Sequence, residues 1–307
     1  MKKAFIYTIL VILLIIFVFR TDFDFSVISK ITAPDFLLLS AILLLSYANT
    51  FYAVDYQFRM MKVFESRSNI ALLCLAGNLM NYLPARAGMI SLGTFLKVKK
   101  NVPVNLFVFT TVLIYMLVAL ISVLLSFLFI FDDKMLVFYS KINFNFLLLA
   151  AACVMTGLAA AVYLASKNRD NVLSRYFLMF IRNRKLINEN KMNLFYSALV
   201  ILGGIILFSL RMYISFDIAG HEISLYHAFM IGVIANLSFF LSFTPGGLGV
   251  KEGFIAGVSY ILFGDASLGV VASLIDRAVN LLYTIITGSM AIKIIDKRFF
   301  SEKTEGK

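Results

Sequence analysis

The sequence predicts an all-α polytopic membrane protein with about six full transmembrane helices and two broken re-entrant hairpins. Of its 307 residues, 61% are hydrophobic and only 15% are charged, whereas soluble domains contain about 25% charged residues. The mean hydropathy is +0.91. Apolar runs of spanning length recur along the chain, and proline and glycine interrupt two of the apolar regions. No polar stretch is long enough for a soluble catalytic domain.

Six apolar segments reach or approach the length of a spanning helix, which is about 20 residues. They are 4–19, 36–54, 104–131, 146–165, 194–216 and 267–292. The first segment follows Lys2 and Lys3, as a signal peptide would, but no small-residue cleavage site follows it. We therefore expect an uncleaved first span.

Two other apolar regions are broken. Segment 70–83 ends at Pro84, with Gly88 four residues further on, and segment 226–243 ends at Pro245, with Gly249 four residues further on. Backbone that leaves a helix at membrane depth must be buried in protein or line a wet cavity, because lipid cannot satisfy its polar groups. Each break therefore predicts a helical hairpin around a protein-lined site.

Lysine and arginine predict the topology. The net charge of +11 reports positive cytoplasmic loops rather than a nucleic-acid surface. Basic residues concentrate in five regions: the N-terminus, 55–68, 97–100, 166–193 and the C-terminal tail. We expect these regions, and so both termini, on the cytoplasmic side of the cell membrane, with Asp132 and Glu222 outside. Segment 70–96 then enters and leaves from the inside, and segment 226–263 from the outside.

This topology predicts one integral membrane domain, 1–307, with inverted halves at about 1–135 and 146–297 and a short cytoplasmic tail, 298–307. The two breaks share the spacing Pro-x-x-x-Gly. Inverted repeats whose broken helices meet near the bilayer midplane are typical of transporters.

The breaks contain candidate binding groups. At the second break, Gly246, Gly247 and Gly249 free the backbone before a helix whose first N–H groups attract anions such as phosphate; the alternative is a simple helix break. At the first break, Asn78 and Asn81 share one helix face. Together with Arg86 these amides bind a headgroup or hold the hairpin together.

Ionisable residues occur inside the last span, where they are costly and usually have partners. Asp276 and Arg277 are adjacent and so point about 100° apart on a helix, which predicts two different partners. We expect Glu252 to pair with Arg277, and Lys251 or Arg86 to pair with Asp276. We also expect Arg277 to attract the headgroup phosphate.

Three further residues carry weaker signals. Arg211, near the outer end of its span, either extends to the interface or binds the headgroup. His221 and His227 lack carboxylate or cysteine companions at metal spacing. We expect no metal site and no cofactor.

The sequences around the two breaks resemble the signatures of a known protein family. They resemble the paired signatures of the lysylphosphatidylglycerol synthase transmembrane-region family, also called flippase-like-domain proteins, in Asn81-x-x-Pro84-x-Arg86-x-Gly88 and Pro245-Gly246-Gly247-Leu248-Gly249-Val250-x-Glu252-Gly253. Arg277 fits the pattern as well. Met89 and Gly93 depart from it, since the family often has an acidic and a basic residue near these positions.

The resemblance implies translocation of an anionic lipid, such as an aminoacylated phospholipid or a polyprenyl-phosphate-linked sugar. The soluble aminoacyl-transferase domain of fused members is missing, so we expect a transport unit and not an enzyme. The alternative is a membrane enzyme or accessory protein acting on lipid-linked sugars in cell-envelope glycan assembly, suggested by the acidic pair Asp22 and Asp24. The expected partners are the lipid substrate and envelope lipid-modifying enzymes or glycosyltransferases, with no nucleic acid.

Overall fold

A computed structural model describes residues 31–83, 87–129, 184–238 and 247–299. Every secondary-structure element within these ranges is an α-helix or a 3₁₀ turn, and no strand occurs among them, which confirms the all-α class. The predicted spans 4–19 and 146–165 lie outside the described residues.

The described ranges contain nine α-helices. In chain order they are α1 (Ala33–Met60), α2 (Arg67–Met80), α3 (Ala87–Lys100), α4 (Val104–Ser126), α5 (Arg184–Glu189), α6 (Lys191–Ile218), α7 (Leu225–Leu237), α8 (Val250–Phe263) and α9 (Ala266–Phe299). A 3₁₀ turn, Phe127–Phe129, extends α4.

Four of the described helices, α1, α4 with its 3₁₀ turn, α6 and α9, are long and apolar enough to cross a membrane. The chain is therefore a multi-pass membrane protein. The predicted spans were too short for α1, α6 and α9, which have 28, 28 and 34 residues. The extra turns are polar: Arg59 pairs with Asp55 at 2.8 Å in the last turns of α1, and basic residues end α9. Apolar runs mark the spanning part of a helix, but a helix continues for as long as its polar turns are paired or solvated.

Side-chain caps fix where several helices begin. The Thr32 side chain and Asp35 form a capping box at the start of α1. Ser66 and Ser224 each accept a hydrogen bond from the backbone N–H three residues on, which starts α2 at Arg67 and α7 at Leu225. The first broken helix thus begins three residues before the predicted segment 70–83.

The first break joins α2 and α3 into a hairpin of closely packed helices. A Cβ added to Gly88 would lie 2.1 Å from the carbonyl oxygen of Gly77, so only glycine allows this approach. The open ends of the hairpin lie beside the C-terminal end of α9. Lys100 pairs there with Glu65 at 3.1 Å, and Arg298 donates to Asn69 Oδ1 at 2.8 Å.

The second break separates α7 and α8, which pack against each other. Phe263, the last residue of α8, contacts the His221 ring at 4.8 Å and the His227 ring at 5.6 Å. The open ends of this hairpin therefore lie beside the N-terminal end of α9. Because the 34 residues of α9 span about 50 Å, the two hairpins open at opposite ends of the bundle.

Two separate apolar clusters pack the two hairpins against the long helices. One packs α2 and α3 against α1 around Phe58, Ile70 and Leu96. Another packs α7 and α8 against α6 around Met212 and Met230. Each hairpin is thus held by its own apolar core.

Candidate functional site

A cavity of about 450 Å³ with a partly polar wall lies among described residues that flank the two breaks. Every described helix except the short α5 contributes to its wall. Its polar lining consists of Ser46, Tyr47, Thr50, Asn78, Asn81, Tyr82, Tyr115, Arg211, Asn236, Ser238, Lys251, Asn280 and Thr284. Several of these groups hydrogen-bond within the bundle. Polar groups of the wall that have no such partner suit water or a polar ligand.

Arg211 and Asp276 form a buried ion pair at the cavity. Arg211 donates from Nε to Oδ1 at 2.6 Å and from Nη2 to Oδ2 at 2.8 Å, and each residue is only 7% exposed. Two sequence expectations are therefore wrong. Arg211 does not extend to the interface, and Asp276 pairs with it rather than with Lys251. Arg86, the other partner expected for Asp276, lies outside the described residues. The planar guanidinium matches both carboxylate oxygens, which an ammonium cannot do.

Glu252 and Arg277 form the expected pair. Arg277 Nη1 lies 2.7 Å from Glu252 Oε1, while Glu252 Oε2 accepts the N–H of Gly249 at 2.8 Å. The adjacent residues Asp276 and Arg277 thus reach two different helices, α6 and α8, as their angular separation predicts. Glu252 also supplies an anion to the N-terminus of α8, so the Gly249 N–H is already occupied by the chain's own carboxylate.

Lys251 is the third cation of this group. Its Nζ lies 3.5 Å from the centre of the Phe208 ring, and no Asp or Glu in the described ranges pairs with it. Lys251 lines both the main cavity and a smaller one of about 100 Å³ that also touches Glu252, Asp276 and Arg277. Three cations against two carboxylates leave one positive charge facing the cavity.

The first break contributes neutral polar groups. Asn78, Asn81 and Tyr82 line the main cavity, and the two asparagines also line an adjoining cavity of about 170 Å³ beside Gly88 and Gln57. The asparagine face predicted from the spacing is therefore directed into the cavities.

The glycines of the second break adopt backbone conformations that suit glycine. Gly247 has φ of 70° and Gly249 of 81°, a region that costs other residues about 1–2 kcal/mol. Gly247 lines the main cavity, whereas Gly249 caps α8. Arg86, Pro84, Gly246 and Pro245, which belong to the breaks in the sequence, lie outside the described residues.

Several cavity residues were not found from the sequence. Tyr47 OH contacts Asn280 Oδ1 at 3.1 Å and Thr284 Oγ1 at 2.8 Å, which ties α1 to α9. Asp276, Asn280 and Thr284 recur every four residues and so share one helix face; that polar stripe in an apolar span was a usable signal. Within the described ranges, no three His, Cys, Asp or Glu side chains are grouped so that they could hold a metal ion.

Comparison with known proteins identifies the family. The family model described as "Lysylphosphatidylglycerol synthase TM region" matches residues 5–288, which is nearly the whole chain. No curated protein and no solved structure matches it. The matched range includes both breaks, both ion pairs and Lys251. The chain therefore belongs to the lysylphosphatidylglycerol synthase TM-region family, whose members are membrane proteins of lipid-related function.

Proposed function

We propose that the protein moves an anionic lipid between the leaflets of the cytoplasmic membrane and does not alter it chemically. The headgroup phosphate binds Lys251 in the central cavity, and the apolar tails remain in the bilayer. The observation that carries this proposal is the unpaired positive charge of Lys251 in a cavity of about 450 Å³ between apolar spans. A cavity of this size lies in the range that accommodates small ligands, about 300–1,000 Å³.

The electrostatics favour an anion at Lys251. An unpaired ammonium among transmembrane helices is unfavourable by about 2.5–3.5 kcal/mol on insertion scales. A phosphate beside Lys251 offsets this cost. The three cations and two carboxylates of the site, together with the phosphate, then have a net charge of zero. Arg211 and Arg277 add positive potential while their carboxylate partners hold them in place.

The bundle supports a transport architecture of two inverted halves. The hairpins α2–α3 and α7–α8 open at opposite ends of α9. Asn81 and Tyr82, which precede the first break, and Gly247, which follows Pro245 at the second, line the same cavity. The end that holds Lys62, Lys100 and Arg298 is rich in basic residues, so we place it at the cytoplasm by the positive-inside rule. The proposed transporter has six full spans. Four are α1, α4, α6 and α9, and the other two are the predicted segments 4–19 and 146–165.

The test is lipid movement in liposomes that contain the purified protein. Phosphatidylglycerol and a polyprenyl-phosphate-linked hexose, each with a fluorophore on the apolar part, report transfer by quenching from outside. We expect faster transfer of at least one probe than in protein-free liposomes, with both probes recovered unchanged by mass spectrometry. Absence of transfer for both contradicts the proposal, and a chemically altered probe supports the membrane enzyme instead.

A further inference from the structure

We infer that the cavity selects a phosphate-linked headgroup that is neutral and carries hydroxyl groups, and that it rejects a headgroup bearing an ammonium. The inference rests on the proposed function and narrows its substrate class. It separates the two lipids that the sequence left open, because an aminoacyl headgroup carries at least one ammonium and a sugar carries hydroxyl groups.

The first step is that every oxygen of the two described cavity carboxylates already has a partner within the protein. Both oxygens of Asp276 accept from Arg211. One oxygen of Glu252 pairs with Arg277 and the other accepts the Gly249 N–H. Among the described residues that line the two cavities, an ammonium of a ligand therefore finds no carboxylate oxygen that is free of an internal partner.

The second step is the sign of the remaining charge. Lys251 lines both cavities, and Asp276 and Arg277 line the smaller one. Among the described residues of the site, Lys251 leaves one positive charge in excess. A ligand phosphate compensates that charge. An added ammonium restores the excess in surroundings that screen charge weakly, where like charges repel strongly.

The third step concerns neutral groups with hydrogen-bonding capacity. The side chains of Asn78, Asn81 and Tyr82 line the cavity and make no hydrogen bond with another described residue. An amide supplies both donors and an acceptor, and a phenol supplies one of each. These groups match ligand hydroxyls, which also donate and accept, and a site built for hydroxyls discriminates against ligands that lack them.

Three probes with the same acyl chains and fluorophore separate the two parts of the inference. Phosphatidylglycerol has a phosphate and two hydroxyls, phosphatidylmethanol has the phosphate without hydroxyls, and lysyl-phosphatidylglycerol adds two ammonium groups. Binding is measured for the purified protein in detergent, and transfer is measured in liposomes. We expect lysyl-phosphatidylglycerol to bind more weakly than phosphatidylglycerol by about tenfold or more. We expect phosphatidylmethanol to bind about fivefold more weakly.

Two variants assign these differences to residues. Lys251→Glu reverses the excess charge and should make lysyl-phosphatidylglycerol the better ligand of the two. Asn78→Leu keeps the branching at Cγ but removes the amide, and should reduce the difference between phosphatidylglycerol and phosphatidylmethanol. Equal or tighter binding of lysyl-phosphatidylglycerol to the unaltered protein overturns the charge selection. Equal binding of phosphatidylmethanol overturns the hydroxyl selection. Binding with this selectivity but without transfer of any probe overturns the proposed function and leaves the selection standing.

Discussion

The two breaks share the spacing Pro-x-x-x-Gly, yet their glycines serve different physical purposes. Gly88 is buried, and a Cβ there would meet the Gly77 carbonyl oxygen at 2.1 Å. Gly249 has open space around it but a φ of 81°. The first glycine lets two helices approach, and the second lets the backbone turn into α8. A shared motif therefore indicates a shared position in the fold and leaves the role of each residue to be determined.

The breaks differ in charge as well. Among described residues, the first offers the cavity the neutral groups Asn78, Asn81 and Tyr82, whereas the second offers Lys251 beside the Glu252–Arg277 pair. The second hairpin thus sets the electrostatics of the cavity. The first contributes hydrogen-bonding groups that can adapt to a ligand.

The largest expected effect is loss of the ion pair at the second hairpin. Glu252→Gln preserves an acceptor for the Gly249 N–H but removes the charge beside Arg277, and breaking a buried pair costs about 3–5 kcal/mol. Addition of Arg277→Gln should restore part of the stability, because two amides can still hydrogen-bond. Thermal unfolding in detergent measures the single and double variants. If the two losses are additive, the residues do not interact.

The same double variant separates structure from binding. We expect it to regain stability but not lipid transfer, because Arg277 also adds positive potential at the cavity. Lipid transfer by the double variant at the unaltered rate would show that Arg277 does not take part in lipid binding. As a matched control, Glu189→Gln breaks the exposed pair with Lys62, whose Nζ–Oε2 distance is 3.4 Å, and should change stability by less than about 1 kcal/mol.

Gly88→Ala tests the close packing of the first hairpin. The added methyl meets a backbone carbonyl that cannot move aside, and overpacking of this kind costs about 1–3 kcal/mol, occasionally more. Gly253→Ala is the control, since a Cβ there meets nothing within 4 Å and φ is not positive. We expect it to raise stability by up to about 1 kcal/mol. Equal unfolding temperatures for the two variants would show that α2 and α3 do not pack this closely.

Gly249→Ala tests the backbone at the second break and should cost about 1–2 kcal/mol. The cost comes from φ alone because no atom lies near the added methyl. Gly247→Val combines the same strain with a side chain in the cavity wall, so it should abolish lipid transfer while the protein remains foldable. Lipid transfer by Gly247→Val at the unaltered rate would show that the second break only interrupts the helix and does not bind the lipid.

The opposite orientation of the two hairpins is tested by labelling single cysteines. We expect these substitutions to leave the stability of the protein unchanged. Cysteines replace Lys97 and Glu222 one at a time in a chain with Cys74→Ser and Cys153→Ser. We expect a membrane-impermeant thiol reagent to label position 222 from outside the cell and position 97 only after lysis. Labelling of both positions from the same side would contradict the inverted arrangement.

The sequence was most informative where a single physical rule dominates. Apolar length identified α1, α4, α6 and α9, and the cost of an isolated charge in a span predicted the Glu252–Arg277 pair. The partner of Asp276 was not predictable in this way, because Arg211 lies 65 residues away in the chain and only the packing of α6 against α9 brings the two together. Hydropathy did not predict the ends of the long helices. Their terminal turns are polar, and such turns stay helical because their side chains are paired or solvated.

The central claim is that Lys251 holds the lipid phosphate, and replacing it with methionine tests this most directly. Lys251→Met removes the ammonium but keeps a long apolar side chain. Stability should be unchanged or slightly higher, because an unpaired buried charge is lost. The control Lys97→Met changes an exposed lysine of α3. We expect phosphatidylglycerol transfer in liposomes to fall by about tenfold or more in Lys251→Met and to persist in Lys97→Met. Transfer by a stable Lys251→Met protein at the unaltered rate would contradict the account.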